Sequence, residues 1–131
     1  MGACPEAESP AFADAIMDVF GRKEYVVRCE AYRREQLLDW AGMPDPDLVE
    51  SLALWVHEHR ARGQTVLVHC EAGHNRSGLV TALYLIRYRG WAPHAAIDLI
   101  REKRGPNALW NGSFVRYLQQ ARPTDKAAGL W

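Results

Sequence analysis

Residues 66–78 read VLVHCEAGHNRSG, and three of their side chains could do chemistry together. Cys70 supplies a thiol, Arg76 a guanidinium and Ser77 a hydroxyl, with five residues between the thiol and the guanidinium. A thiolate is a strong nucleophile at neutral pH if nearby positive charge lowers its pKa. A guanidinium presents a planar fork that matches two phosphate oxygens, which an ammonium cannot do. The hydroxyl of Ser77 can donate to the sulfur and stabilise it as a leaving group. Attack on a phosphorus centre is the chemistry these groups suit.

That chemistry needs a cradle, and the flanking pattern predicts one. The apolar run Val66-Leu67-Val68 reads as a strand, and Leu79 to Tyr88 as a helix apolar nearly all round. A tight loop between a strand and a helix N-terminus turns its backbone N–H groups inward as a nest for a tetrahedral oxyanion. Glu71, Ala72, Gly73, His74, Asn75 and Arg76 would line it, with Gly73 and Gly78 easing the turn. Glu71 and His74 would face the rim.

The remaining elements follow from spacing and breakers. Residues 1–9 are small and polar and are expected to be flexible. Phe12, Ile16, Val19 and Phe20 fall at helical spacing after Pro10, which predicts a helix ending at Gly21. Tyr25 to Cys29 reads as a strand, and residues 30–37 are charged and ambiguous. The segment DWAGMPDPD at 39–47 reads as a loop. Asp45 or Asp47 can then cap a helix with the stripe Leu48, Leu52, Trp55 and Val56, closed by Gly63. Pro93 opens a helix with Ala96, Ile97 and Ile100 inward, Gly105-Pro106 breaks it, and a last helix runs from Gly112 to Ala121. Strands alternating with helices around a buried strand mean an α/β fold in one domain over residues 1–131.

The pattern His-Cys-x-x-Gly-x-x-Arg-Ser at 69–77 resembles the signature loop of the cysteine-dependent protein tyrosine phosphatase superfamily, and its small dual-specificity branch most of all. The resemblance implies a central, mainly parallel sheet flanked by helices in three layers. It makes Cys70 the nucleophile, Arg76 the phosphate-binding arginine and Ser77 the hydroxyl after it. It also makes His69 the residue that shapes the loop and helps keep the thiol ionised. It covers about residues 36–120, so the N-terminal part is shortened against the family's usual domain. Either the domain is compact, or a second copy of the chain supplies strands by exchange in a homodimer.

A leaving alkoxide or phenolate must take up a proton, and a protonated aspartic acid in a closing loop can supply it. In the resembled family this residue lies some thirty positions before the cysteine, in a loop that often ends in proline. Asp39 is 70 − 39 = 31 residues upstream and opens Asp39-Trp40-Ala41-Gly42-Met43-Pro44; Asp45 and Asp47 are the other candidates. Asn111, three residues before Phe114, aligns with the family's asparagine that braces the signature loop, and Asn107 is the alternative. Asn111 can equally be a helix N-cap, or both. Arg101 and Arg104 could add positive potential near the mouth or belong to a solvated helix face.

Composition narrows the function class. Acidic and basic residues number 16 each, so no basic excess points to nucleic acid as the partner. No apolar run approaches the ~20 residues of a membrane span, and residues 1–20 do not resemble a signal peptide. His57 and His59 lie two apart on a helix and do not share a face, so no metal site is expected there. Three cysteines, Cys4, Cys29 and Cys70, lack metal spacing and fit a reducing cytoplasm. Cys29 reads as a buried strand residue, although a disulfide with an oxidised Cys70 is conceivable. The sequence therefore predicts a metal- and cofactor-free phosphomonoester hydrolase acting through a cysteinyl-phosphate on phosphorylated protein, with phosphate or vanadate as ligands. Two alternatives stand beside it. One is an RNA 5′-phosphatase or small-metabolite phosphatase of the same superfamily. The other is a catalytically weak module that binds phosphorylated ligands.

Overall fold

The computed structural model describes residues 2–3, 12–19, 29–37, 42–70 and 75–124. Its strands are β1 (Gly2–Ala3), β2 (Ala15–Asp18), β3 (Ala31–Arg34) and β4 (Val66–Cys70). Its helices are α1 (Pro46–Ala61), α2 (Arg76–Arg89), α3 (Pro93–Arg104) and α4 (Gly112–Gln120). The strands form one sheet in the order β1-β4-β2-β3, with every pair parallel. The α/β architecture expected from the sequence is present, and the strand that ends in Cys70 lies inside the sheet between β1 and β2.

The N-terminal helix predicted from Pro10 to Phe20 is a strand. Ala15-Ile16-Met17-Asp18 forms β2, and all four residues are buried. A strand covered on both faces is a short continuous apolar run, and its spacing does not distinguish it from a buried helix. The ambiguous segment 30–37 supplies β3, whose Ala31, Tyr32, Arg33 and Arg34 pair in register with Ala15 to Asp18. Of the strand predicted at 25–29, only Cys29 lies among the described residues, in a bend before β3.

The helices follow the expected signals closely. The Asp45 carboxylate caps α1, accepting from the backbone N–H groups of Asp47 at 3.0 Å and Leu48 at 3.5 Å. Pro46 occupies the first turn, where its missing N–H costs nothing. The buried face of α1 is Val49, Leu52, Ala53, Val56 and His59, one position round from the predicted stripe, with Leu48 and Trp55 half-buried at its margin. Helix α2 buries Leu79, Val80, Ala82, Leu83, Ile86 and Tyr88 and stops at Gly90 in the left-handed conformation (φ 71°). Helix α3 buries Ala96, Ile97 and Ile100, and α4 buries Phe114 and Leu118.

Alternation along the strands divides the sheet into two faces. Met17, Val19, Val68 and Cys70 join the core built with the four helices. Ile16 and Leu67 form a smaller cluster with Ala13 on the reverse face, against which Cys29 packs. Asp18 and His69, paired in register, follow the parity of that reverse face. The nucleophile candidate thus faces the helices, while its histidine neighbour faces the other way.

Candidate active site

β4 ends at Cys70 and α2 begins at Arg76, so the strand and the helix expected on either side of the loop are both present. Glu71, Ala72, Gly73 and His74 lie outside the described residues, as does Asp39. Cys70 is almost fully buried at 2% exposure. Its Sγ lies 3.5 Å from Ser77 Oγ. Once the thiol ionises, that hydroxyl is placed to donate to the sulfur. Arg76 opens α2, half-buried, where the helix N-terminus adds its partial positive charge to the guanidinium. Thiol and hydroxyl therefore meet at the helix end that Arg76 opens, where an oxyanion would find favourable charge.

Close packing behind this helix end depends on Gly78. A Cβ there would stand 3.2 Å from Ile100 Cγ2 and 3.2 Å from Leu109 Cδ2. Gly78 lies in the first turn of α2 and is not among the glycines with positive φ, so it serves helix packing rather than the easing of the turn expected from the sequence.

Asn75 and Asn111 meet. The backbone N–H of Asn111 donates to Asn75 Oδ1 at 3.3 Å, and both residues are buried. The Asn111 side chain meanwhile caps α4, accepting from Ser113 N–H at 2.9 Å and Phe114 N–H at 3.4 Å. The residue before Arg76 is thereby tied to the start of the last helix. Asn107, the alternative brace, sits exposed in the preceding turn. Arg101 folds back on its own loop, donating from Nε to the Ala108 carbonyl at 3.1 Å and from Nη2 to the Leu109 carbonyl at 3.2 Å.

Of the aspartates proposed from the sequence, Asp45 is engaged as the cap of α1, and Asp47 is exposed in the first turn. Pro44 is buried just before them. His57 stacks on Tyr88, and His59 Nδ1 lies 2.6 Å from Gln64 Oε1. Among the described residues no group of three or more His, Cys, Asp or Glu could hold a metal ion. No described helix is long and apolar enough to cross a membrane. Cys29 donates its thiol to the Ala31 carbonyl at 3.0 Å, and burial pushes its pKa up.

Sequence reasoning missed Asp18. It is fully buried at the C-terminal end of β2, where α/β sheets place their ligand-binding groups. Tyr32 donates its hydroxyl to Asp18 Oδ2 at 3.2 Å, Arg34 Nε lies 3.8 Å from the same oxygen, and His69 Nδ1 lies 3.9 Å from Oδ1. Burial pushes the His69 imidazole below its ordinary range, and the Asp18 charge opposes that shift. The first effect prevails and favours the neutral imidazole beside Cys70. The signal that could have found it is an acidic residue inside an apolar run.

Comparison with known proteins gives a consistent result. Residues 46–123, more than half of the chain, match the family model described as dual specificity phosphatase, catalytic domain. The mouse phosphatidylglycerophosphatase and protein-tyrosine phosphatase 1 is 35% identical over 71 residues, which are 54% of this chain and 37% of the mouse protein. Dual specificity protein phosphatase 1 of Arabidopsis thaliana is 35% identical over 65 residues, 50% of this chain and 32% of that protein. The chain thus matches about a third of the length of these relatives. The crystal structure of human DUSP28 superposes with a TM-score of 0.71 at 20% identity, covering 84% of this chain and 79% of that one, which is a likeness of fold.

Proposed function

The chain belongs to the dual-specificity phosphatase catalytic-domain family, and from that premise we propose that it is a metal-independent phosphomonoester hydrolase acting on phosphorylated protein. The observation that carries the reading is the Cys70 sulfur 3.5 Å from the Ser77 hydroxyl at the end of the helix that Arg76 opens. The Cys70 thiolate attacks phosphorus in line and the ester oxygen leaves. Arg76 and the loop amides hold the equatorial oxygens and stabilise the charge that spreads over them in the transition state. Asp39 donates a proton to the leaving oxygen, then takes one from the water that hydrolyses the cysteinyl-phosphate. Asp45 is already engaged in capping α1, which favours Asp39 for this role. His69 orients the start of the loop. Ser77 donates to the sulfur as it is expelled in the second step.

A phospholipid headgroup is the second reading, favoured by the mouse relative, whose name carries both phosphatidylglycerophosphatase and protein-tyrosine phosphatase. The balance of 16 acidic and 16 basic residues, and a signature loop without lysine, favour a phosphorylated protein over a highly phosphorylated lipid. A cytoplasmic site of action belongs to the same proposal, because a thiolate nucleophile needs a reducing compartment.

Cys70→Ser tests the mechanism. The variant should lose turnover of an aryl phosphate while still binding phosphate or vanadate. Wild-type turnover in that variant would remove the cysteine from the chemistry.

A further inference from the structure

Asp18 is a buried acid that the reaction described above does not use. It is fully buried, and so is His69, its partner in register on the neighbouring strand. A carboxylate taken out of water is costly unless other groups compensate it. Groups on both neighbouring strands do so here. Tyr32 donates its hydroxyl to Oδ2 at 3.2 Å, and Arg34 Nε lies 3.8 Å from the same oxygen. Both belong to β3, on one side of β2. On the other side, on β4, His69 Nδ1 lies 3.9 Å from Oδ1.

The imidazole joins this charge to the nucleophile. His69 precedes Cys70 on β4 and makes a hydrogen bond to the Cys70 backbone. Burial drives the ring towards its neutral form, the Asp18 charge and the Cys70 bond favour the protonated one, and the amino terminus opposes them. Among the described residues, the charges that face the ring are Asp18 on β2 and, behind it, Arg34 on β3. On the far side β1 pairs Gly2 with His69 in register, one residue after the amino terminus. A ring balanced in this way responds to a charge that appears beside it. When Cys70 gives up its proton, the new negative charge adds to that of Asp18, and the two together offset the burial that keeps the ring neutral.

We propose that Asp18 is a positioning residue for the nucleophile: acting through His69, its carboxylate lets the imidazole gain a proton as Cys70 loses one, so that the thiolate forms beside a positive charge. The inference rests on the hydrolase reading above, in which Cys70 reacts as a thiolate, and adds a residue on the reverse face of the sheet to it. The thiol proton leaves to solvent and the ring takes one up, so the net charge of the pair is unchanged. With asparagine at position 18 the ring stays neutral and the thiolate loses that support. A carboxylate also repels a thiolate directly, with the opposite sign. That route is the weaker one, because Arg34 beside Asp18 offsets its charge at a distance and Cys70 faces the other side of the sheet.

The experiment follows iodoacetamide alkylation of Cys70 against pH in the full chain, read on the Cys70 peptide by mass spectrometry. Asp18→Asn should raise the midpoint by roughly half to one pH unit, less than a charge in direct contact would give, because the effect is relayed. The acid limb of kcat/KM on an aryl phosphate should move with it, a roughly three- to tenfold loss on that limb with the plateau unchanged. In a His69→Asn background, Asp18→Asn should no longer raise the midpoint. Arg34→Gln, at a side chain 32% exposed, leaves the Asp18 charge uncompensated and should lower the midpoint, which carries the test if Asp18→Asn does not fold. An unchanged or lowered midpoint in folded Asp18→Asn overturns the proposal. So does an equal rise without His69, or a midpoint in Arg34→Gln that does not fall. If the wild-type chain hydrolyses no phosphomonoester but the midpoints move as stated, the hydrolase reading fails while the role of Asp18 stands.

Discussion

Glu50 joins three helices, and removing its charge should loosen all of them. It lies on α1. Its Oε1 accepts from Arg87 Nε on α2 at 3.0 Å, and its Oε2 accepts from Arg87 Nη2 at 2.9 Å and from the Tyr117 hydroxyl on α4 at 2.6 Å. Hydrogen bonds to a charged group contribute ~1.5–3 kcal/mol each when well shielded, whereas exposed ion pairs contribute ~0.2–1 kcal/mol. The Glu50 and Arg87 side chains are 33% and 26% exposed, which places the site between those limits. Glu50→Gln keeps the shape and loses the charge, and should cost about 1–2 kcal/mol. Urea unfolding followed by tryptophan fluorescence measures it, as a lower midpoint at constant slope. The same site has a pH signature. Burial first, and then the bond to Glu50, hold the Tyr117 phenol well above its ordinary value of 10. The neutral phenol is therefore the form the fold stabilises. That contribution is complete below about pH 10 and is lost as pH rises through the raised folded value. Tyr117→Phe cannot ionise, so the stability gap between wild type and this variant should narrow above pH 10. A Glu50→Gln cost under about 0.5 kcal/mol, together with a gap that stays constant above pH 10, would refute the reasoning.

Two further predictions concern the site. Asp39→Asn should lower kcat on an alkyl phosphomonoester by about two to four decades, the range of general-acid contributions, and remove the alkaline limb of a bell-shaped rate profile; steady-state rates from pH 4 to 9 check both. Asn75→Ala leaves the buried Asn111 N–H without its 3.3 Å acceptor, which should cost about 1–3 kcal/mol and weaken vanadate inhibition, read by urea unfolding and inhibitor titration.

What was legible in the sequence was local. Cys70, Arg76 and Ser77 are seven residues apart at most, and a strand, a loop and a helix N-terminus follow from their immediate neighbours. The capping by Asp45, the stop at Gly90 and the start at Pro93 are likewise local chemistry. Asp39 was what the family resemblance implied, and it lies outside the described residues.

Tertiary structure decided what short-range patterns leave open. Ala15 to Asp18 carries no periodicity that separates a buried strand from a buried helix, and pairing with β3 and β4 decides it. That pairing brings Asp18 beside His69, far along the sequence, with both side chains buried. For Arg101 the sequence left open the mouth of the site or a solvated helix face, and its guanidinium instead holds the carbonyls of Ala108 and Leu109. Leu109 and Trp110 are neighbours of similar hydrophobicity, and nothing in their order says which goes inside. The left-handed turn at Leu109, packed on Gly78, sends one into the core and the other to the surface. Strand β4 ending at Cys70 and helix α2 opening at Arg76 were legible in a short segment, because local apolar patterning specifies each. What surrounds them depends on contacts between distant segments, which close only when the whole chain has packed.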